Sequence, residues 1–307
     1  MRIVVLYNPN AGRGRGERVA ASVRAMLETR GDQTTLLATA KEPPEAFHAR
    51  VAAALRGADL LIVAGGDGTL HSTLPAVVGS GVPIYHLAMG TENLFARQFG
   101  MDRQPLTLQG ALDAWRIVDV DVGELQVGLP SAGILATPFV LMCSLGPDAS
   151  VIRRLDESRR GPISHLSYLK PVLAELLDPW LPRLTVEVDG ERIADGVKGM
   201  LVVANSRQYA VRIDPAHRAS MTDGLLDVAV FPCGGRVGAL WTLARCRARR
   251  HGGSVIYKQG TTIRVHAEDP RPPALQIDGE CRRVAPGPLE LVARSRPGAL
   301  RVLSPRT

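Results

Sequence analysis

The sequence predicts an α/β domain followed by an antiparallel all-β domain, and three observations carry that prediction. The chain has 307 residues, more than one hydrophobic core usually organises, so two domains of roughly 100 to 170 residues are expected. Over positions 1–122, short apolar runs alternate with stretches of helical period, the order that builds an open parallel sheet with helices on its faces. Beyond "IVDVDVGEL" (117–125), strand-like runs separated by Asp-Gly turns take over, which predicts a β-sandwich. The boundary falls near Asp121, giving domains 1–122 and 123–292.

In order along the first domain, "RIVVLY" (2–7) reads as a buried strand and Glu17 to Arg30 as an amphipathic helix. "TTLLAT" (34–39) is a second strand, Pro44 to Leu55 a helix that starts on its proline, and "DLLIVA" (59–64) a third strand. Leu70 to Val78 is again helical and "PIYHLA" (83–88) a fourth strand. The second domain offers "TPFVLMCSL", "RLTVEVDGERI", "GMLVVAN", "LLDVAVF", "TTIRVH" and "ALQIDGECR" as strand material. Helices near Ala149 to Arg159, His165 to Leu177 and Val237 to Arg250 interrupt it.

Composition narrows the classes. An apolar content of 45% supports a sizeable core, and no apolar run approaches the ~18 residues of a spanning helix. "MRIVVLYNPN" turns polar too early for a signal peptide, so a cytoplasmic location is expected. Cys143, Cys233, Cys246 and Cys281 are isolated in sequence, which predicts buried thiols rather than disulfides or a zinc site. The net charge is +7, with basic groups at Arg13, Arg15 and Arg18, at Arg153, Arg154, Arg159 and Arg160, and in "ARCRARRHGG" (244–253). Such groups attract polyanions. Aromatic residues make up only 4% and do not interleave with them, so nucleic acid is not an expected partner, whereas an anionic membrane surface is. His48, His86, His165, His217 and His251 have no metal-ligand spacing, and Trp115, Trp180 and Trp241 are too scattered to form a stripe.

Three loops carry the chemistry. "NPNAG" (8–12), "GGDGT" (65–69) and "MGTEN" (89–93) each follow an expected strand, and ligands of open parallel sheets bind beyond the carboxyl ends of the strands. Glycine amides and small hydroxyls let bare N–H groups approach phosphate oxygens. Asp67 supplies a carboxylate where a phosphate-bound Mg²⁺ would need one. There is no Gly-Lys pair for a P-loop, and "GRGRGE" (12–17) misses the GxGxxG spacing.

"LYNPNAG", "AGGDGTLH", "MGTENLFAR", "MTDGLLDV" and "QIDGE", in that order and spacing, resemble the diacylglycerol kinase catalytic-domain family of lipid kinases over nearly the whole chain. "GGDGT" alone is shared with NAD kinases and is similar to a phosphofructokinase loop. The resemblance implies a nucleotide-binding α/β domain, a β-sandwich domain for the lipid substrate and a cleft between them where ATP phosphorylates a lipid hydroxyl such as that of diacylglycerol. It also allows the tail, about 293–307, to return to the first domain. By motif match, Asn8, Pro9, Asn10, Ala11, Gly12, Thr39, Gly65, Gly66, Asp67, Gly68, Thr69, Leu70, His71, Gly90, Thr91 and Asn93 fall on ATP-contacting positions. Asp67 and Asp121 fall on positions that organise the catalytic Mg²⁺, and Glu280 on the general base. Ser220, Asp223 and Leu225, the last through its carbonyl, match a structural Mg²⁺ site. Transient docking on an anionic membrane and a homodimer are compatible with the family.

"VEVDGERI" (186–193) and "LQIDGECR" (275–282) read as the same hairpin, and only motif order selects Glu280 over Glu191. Leu94 stands where many members carry Asp, Ala11 where Ser is frequent and His71 where Asn is frequent, and "SRQYAVRIDP" (206–215) lacks the usual glycine pair. Two other readings compete with a lipid kinase. One is a NAD kinase, from the shared "GGDGT" loop; the other is a catalytically silent lipid- or nucleotide-binding protein, motivated by Leu94.

Overall fold

β3 (Leu60–Gly65) is buried at every position, the pattern of a central parallel strand covered on both faces. The computed structural model describes residues 1–129, 133–158, 169–209, 214–239, 246 and 255–306. These divide into two compact units, Met1–Val120 with Gly298–Thr307, and Asp121–Pro297.

In the first unit β3 lies between β1 (Arg2–Tyr7) and β4 (Ile84–Ala88), and β2 (Gln33–Ala38) flanks β1, all in parallel. The chain moves to one side of β1 for β2 and to the other for β3, which makes the crevice between β1 and β3 the topological switch point. The register sets Tyr7 beside both Ala38 and Ala64, and Gly65 beside Ala88, so all four strands end level. After the returning segment, Val302 pairs with Ile84.

Helices seal this sheet at helical spacing. α2 (Gly16–Thr29) buries Ala20, Val23 and Leu27, α3 (Pro44–Leu55) buries Phe47, Val51 and Leu55, and α4 (Asp67–Val77) buries Leu70, Leu74 and Val77. The expected start of α4 at Leu70 is three residues late: Gly66 is the N-cap, and the Asp-Gly-Thr segment that reads as loop forms the first turn. Three elements had no clear signal. α1 (Ala11–Gly14) is one turn with Gly12 and Arg13 in left-handed conformation, α5 (Leu94–Phe99) is only 6 residues long, and α6 (Pro105–Ala114) starts on a proline.

The second unit is an antiparallel β-sandwich. β5 (Ile117–Leu129) pairs with β6 (Gly133–Phe139), and β8 (Arg183–Val188) with both β12 (Thr262–Glu268) and the first half of β9 (Glu191–Ala204). β12 also pairs with β15 (Leu289–Leu303). The second half of β9 leaves β8 and enters the opposite sheet between β7 (Met142–Leu145) and β10 (Leu226–Pro232). That sheet is completed by β11 (Ile256–Gly260) beside β10, and by β13 (Leu275–Ile277) and β14 (Glu280–Arg282) beyond β7. Leu125, Val186, Leu201, Val228, Val265 and Leu291 fill the core between the layers.

"TPFVLMCSL", expected as one strand, is two, broken at Val140 and Leu141, while "VDGERI" and "GMLVVAN" share the single strand β9. Helices α7 (Pro147–Ser158) and α8 (Leu169–Leu177) correspond to the first two expected in this region. The one expected near Val237 to Arg250 lies largely outside the described residues, as do Arg159, Arg160, His165, Trp241, His251 and most of 244–253. No helix among the described residues is long and apolar enough to cross a membrane.

Candidate functional site

The level strand ends of the first unit bring Asn8–Gly12, Thr39, Gly65–His71 and Gly90–Asn93 to one edge of the sheet. Backbone bonds tie the loops together: Asn8 N donates to Ala64 O (3.1 Å), Gly12 N to Met89 O (3.2 Å), Met89 N to Gly65 O (2.8 Å) and Thr39 N to Tyr7 O (2.8 Å). The Asn8 side-chain amide reaches Thr69 Oγ1 at 3.4 Å, and Asn8 Oδ1 accepts Asn10 N at 2.9 Å. Two glycines touch at the centre. A Cβ on Gly90 would stand 2.7 Å from Gly66 Cα, so any larger residue there pushes the second loop from the third. Asn93, at φ 48°, closes the third loop by exchanging two hydrogen bonds with the Gly90 backbone (2.7 and 2.8 Å).

Asp67 is part of this framework. Its two carboxylate oxygens accept the amides of Leu94 (2.9 Å) and Phe95 (3.2 Å), the open N–H groups at the start of α5. An acid group on a glycine-rich loop is thus fixed by a neighbouring helix terminus. Leu70 and His71 are buried on the inner side of α4, which leaves a ligand mainly their backbone atoms. Beneath lies His86, fully buried, with Nε2 against Gly65 O at 3.1 Å and Nδ1 without a hydrogen-bond partner. Burial holds this imidazole below its ordinary pKa, against the smaller opposing pull of Asp67, so it is neutral with its proton on Nε2. Sequence reading assigned His86 no role, because nothing in "PIYHLA" marks which carbonyl its ring will meet.

The second unit holds Asp121, Ser220, Asp223, Leu225 and Glu280. Asp121 is buried; its amide donates to Met221 O (2.7 Å), and its Oδ2 accepts Gly224 N (2.6 Å), which anchors the "TDGLLD" loop. In that loop Asp223 Oδ1 accepts Leu225 N (3.1 Å), Asp223 Oδ2 lies 3.4 Å from Gln259 Nε2, and Ser220 Oγ is 3.3 Å from Thr222 Oγ1. Carboxylate, hydroxyl and carbonyl oxygens are the donors a hard cation takes, and Mg²⁺ needs only one or two carboxylates beside phosphate oxygens and water. The residues fit such an ion in chemistry. No group of three or more His, Cys, Asp or Glu suited to a metal occurs among the described residues.

Glu280 is exposed at the start of β14, on a turn whose left-handed residues are Asp278 (φ 50°) and Gly279 (φ 84°). Asp278, which sequence reading treated only as a turn former, is buried and accepts the amides of Val140, Leu141 and Met142 at 2.8–3.0 Å. Its twin differs in every contact. Asp189 accepts Thr261 and Thr262 amides, and Glu191 pairs with Lys258 on the surface.

Among the remaining candidates, Cys143, Cys233 and Cys246 are buried as expected, whereas Cys281 is half-buried; all four are free thiols. Arg13, Arg15 and Arg18 are exposed. Arg154 is not available to a polyanion, because its guanidinium is paired at 3.0 Å with the buried Glu175, and Arg153 donates to Pro272 O. Trp180 is buried and Trp115 surface-exposed, each in a separate place.

Comparison with known proteins covers both units. Residues 2–125 match the diacylglycerol kinase catalytic domain, and residues 142–304 match the YegS C-terminal NAD kinase beta sandwich-like domain. A diacylglycerol kinase of Mycobacterium tuberculosis is 28% identical over 99% of this chain and 96% of its own length. One from Bacillus subtilis is 24% identical over 93% and 92%. A crystal structure of a diacylglycerol kinase from Bacillus anthracis superposes with TM-score 0.67 at 14% identity, over 99% of this chain and 96% of that one. A yeast NADH kinase superposes with TM-score 0.56 at 10% identity, over 98% and 82%, a likeness of fold alone.

The Asp67 geometry makes Asp67→Asn a stability variant as well as a candidate activity variant. One oxygen becomes a donor facing a backbone N–H, and urea denaturation is expected to show a loss of about 1–2 kcal/mol. Unchanged stability would mean that the carboxylate does not hold α5. His86 gives a second expectation, with the sign fixed by its depressed pKa. The unfolded chain binds a proton near pH 6.5 that the folded chain refuses, so stability falls as pH drops below that value, by up to about 1.4 kcal/mol per pH unit. Relative to wild type, His86→Gln should flatten the stability profile between about pH 6.5 and 5.

Proposed function

Because the chain belongs to the family that joins a diacylglycerol kinase catalytic domain to a YegS C-terminal β-sandwich-like domain, we propose that it transfers the γ-phosphate of ATP to a lipid hydroxyl such as that of diacylglycerol. One observation carries this reading: three loops rich in glycine and small hydroxyls leave adjacent parallel strands at the switch point, hydrogen-bonded to one another. Phosphoryl transfer asks little covalent chemistry of a protein; it asks for alignment and for charge placed along the reaction axis.

In this reading the first unit binds and orients the triphosphate. The N-terminus of α4, capped by Gly66, supplies donors to the phosphates, while Asn8–Gly12 and Gly90–Asn93, whose bonded amides keep the loops in shape, line the same edge. Asp67 holds α5 in place and would also serve the catalytic Mg²⁺. In the second unit, Asp121 would serve the catalytic Mg²⁺, which neutralises phosphate charge when bound, and Ser220, Asp223 and the Leu225 carbonyl would hold a separate structural Mg²⁺. Glu280, exposed on a turn whose base is clamped by Asp278, takes the proton of the lipid hydroxyl.

The protein meets its substrate by docking from the cytoplasm on an anionic bilayer. α8 supports this: Leu173 and Leu177, one turn apart, are each 57% exposed, and Lys170 on the same helix is exposed as well.

Purified protein assayed with radiolabelled ATP, Mg²⁺ and a lipid panel should label a lipid, and Glu280→Gln should lower kcat by about 100- to 10,000-fold. Full turnover in Glu280→Gln sinks the base assignment. Transfer to NAD instead of any lipid makes the chain a NAD kinase, and nucleotide binding without transfer under any metal makes it a silent binder. Replacing Leu173 and Leu177 by Asp should weaken co-sedimentation with anionic vesicles about tenfold or more, while turnover of a detergent-dispersed short-chain lipid stays near wild type.

A further inference from the structure

Asn205 lies at the end of the segment "GMLVVAN" in the second unit, completely buried beside the last residue of β9. It is the centre of a run of hydrogen bonds between two groups that the proposed function uses. Its side-chain amide donates to the backbone oxygens of Asp121 (2.7 Å) and Val140 (3.1 Å), and its own backbone N–H donates to Leu141 O (2.9 Å). The amides of Val140, Leu141 and Met142 in turn donate to the carboxylate of Asp278, and Asp278 N returns a bond to Met142 O at 2.8 Å. Glu280 is two residues further along.

The orientation of the Asn205 amide is fixed by its partners. Both are carbonyl oxygens, so the amide turned over would set oxygen against oxygen. Its Oδ1 is left buried with no hydrogen-bond partner. A buried acceptor without a partner is unfavourable, and an apolar side chain would avoid that cost. What an apolar side chain could not do is tie β5 at Asp121 to the break after β6 at Val140. Val140 and Leu141 form the break between β6 and β7, where the ladder bonds lapse and the backbone needs other partners.

We propose that Asn205 is a positioning residue that sets the Glu280 turn relative to Asp121, acting through the Val140–Met142 backbone and Asp278. This inference rests on the reading of Glu280 as the general base. It touches no substrate. Its effect is geometric: it keeps the carboxylate at a fixed distance from the backbone that carries the metal-loop anchor, and misplacement by about 1 Å can slow a reaction about 100-fold.

The test uses Asn205→Ala, Glu280→Gln and the double variant in the full chain, with amide hydrogen exchange and steady-state kinetics. In Asn205→Ala, exchange across 140–142 and 276–281 should quicken about tenfold or more, with β3 in the first unit unchanged. Lipid-kinase kcat should fall about 100-fold with KM for ATP within about twofold. The double variant should be no slower than Glu280→Gln alone, because Asn205 acts only through Glu280. A further drop of about tenfold in the double variant, or unchanged exchange at 276–281, overturns the proposal. If Asn205→Ala does not fold, exchange in the wild type decides: the Asn205 side-chain amide and the 140–142 amides should open together, and independent opening overturns the proposal. A wild type that phosphorylates no lipid rejects the kinase reading and with it the catalytic purpose of the link, while the exchange result still accepts or rejects the link itself.

Discussion

The contact between Gly66 and Gly90 is the constraint on which the loop edge of the first unit depends. Parallel register places the ends of β3 and β4 side by side, but the loops that leave them must also turn past one another. They do so backbone against backbone, with room at Gly90 for a hydrogen and no more. The contact puts Met89 within reach of Gly65 and Gly12, and it lets the carboxylate of Asp67 reach the first amides of α5. Separate those two glycines and three loops that share bonds become three independent loops. Glycine here gives close approach more than freedom of φ, since neither residue has a positive φ.

Buried or half-buried carboxylates recur as backbone clamps. Asp67 takes two amides, Asp278 three, and Asp121 one in the anchor loop, each where a chain leaves regular pairing with open N–H groups. A hydrogen bond to a charged acceptor contributes about 1.5–3 kcal/mol, against about 1 for a neutral one, so one side chain can fix several residues of loop. That accounts for an acid on a glycine-rich turn without any ligand. Holding the loop and serving a ligand are compatible uses, because a carboxylate has about four acceptor positions.

Strands such as β3 and β10, buried on both faces, were legible, whereas β11 and β15 were not read as strands. "DLLIVA" and "LLDVAVF" needed nothing but their own residues, and the Asp-Gly turns of the sandwich announced themselves. The start of α4 did not, because glycine at its N-cap and second residue outweighs local propensity until the helix is packed. α5 was illegible for a related reason: its first turn is stabilised by Asp67, 27 residues earlier in the chain. The twin hairpins mark the limit most sharply. "VEVDGERI" and "LQIDGECR" carry the same turn, with Asp at φ 49° and 50°, and what separates them is the partner across space: Thr261 and Thr262 for one, Val140 to Met142 for the other. Sequence order selected Glu280 by resemblance. The geometry adds that Glu191 is engaged by Lys258, while the base of the Glu280 turn is locked into the unit's interior.

Leu94 also changes meaning once the clamps are drawn. The resemblance marks it as a missing carboxylate, but what α5 presents to Asp67 at that position is the backbone amide, which every residue except proline supplies. Loss of the side-chain acid therefore leaves the loop framework intact and removes one negative charge from the neighbourhood of Asp67. In the second unit, Asp121 on β5 anchors the loop that carries Asp223, and Glu280 stands exposed on a separate turn. The proposed transfer is governed by alignment, which requires that each group be held still, and the buried hydrogen bonds of Asn205 and Asp278 hold the backbone of 140–142 beneath the Glu280 turn.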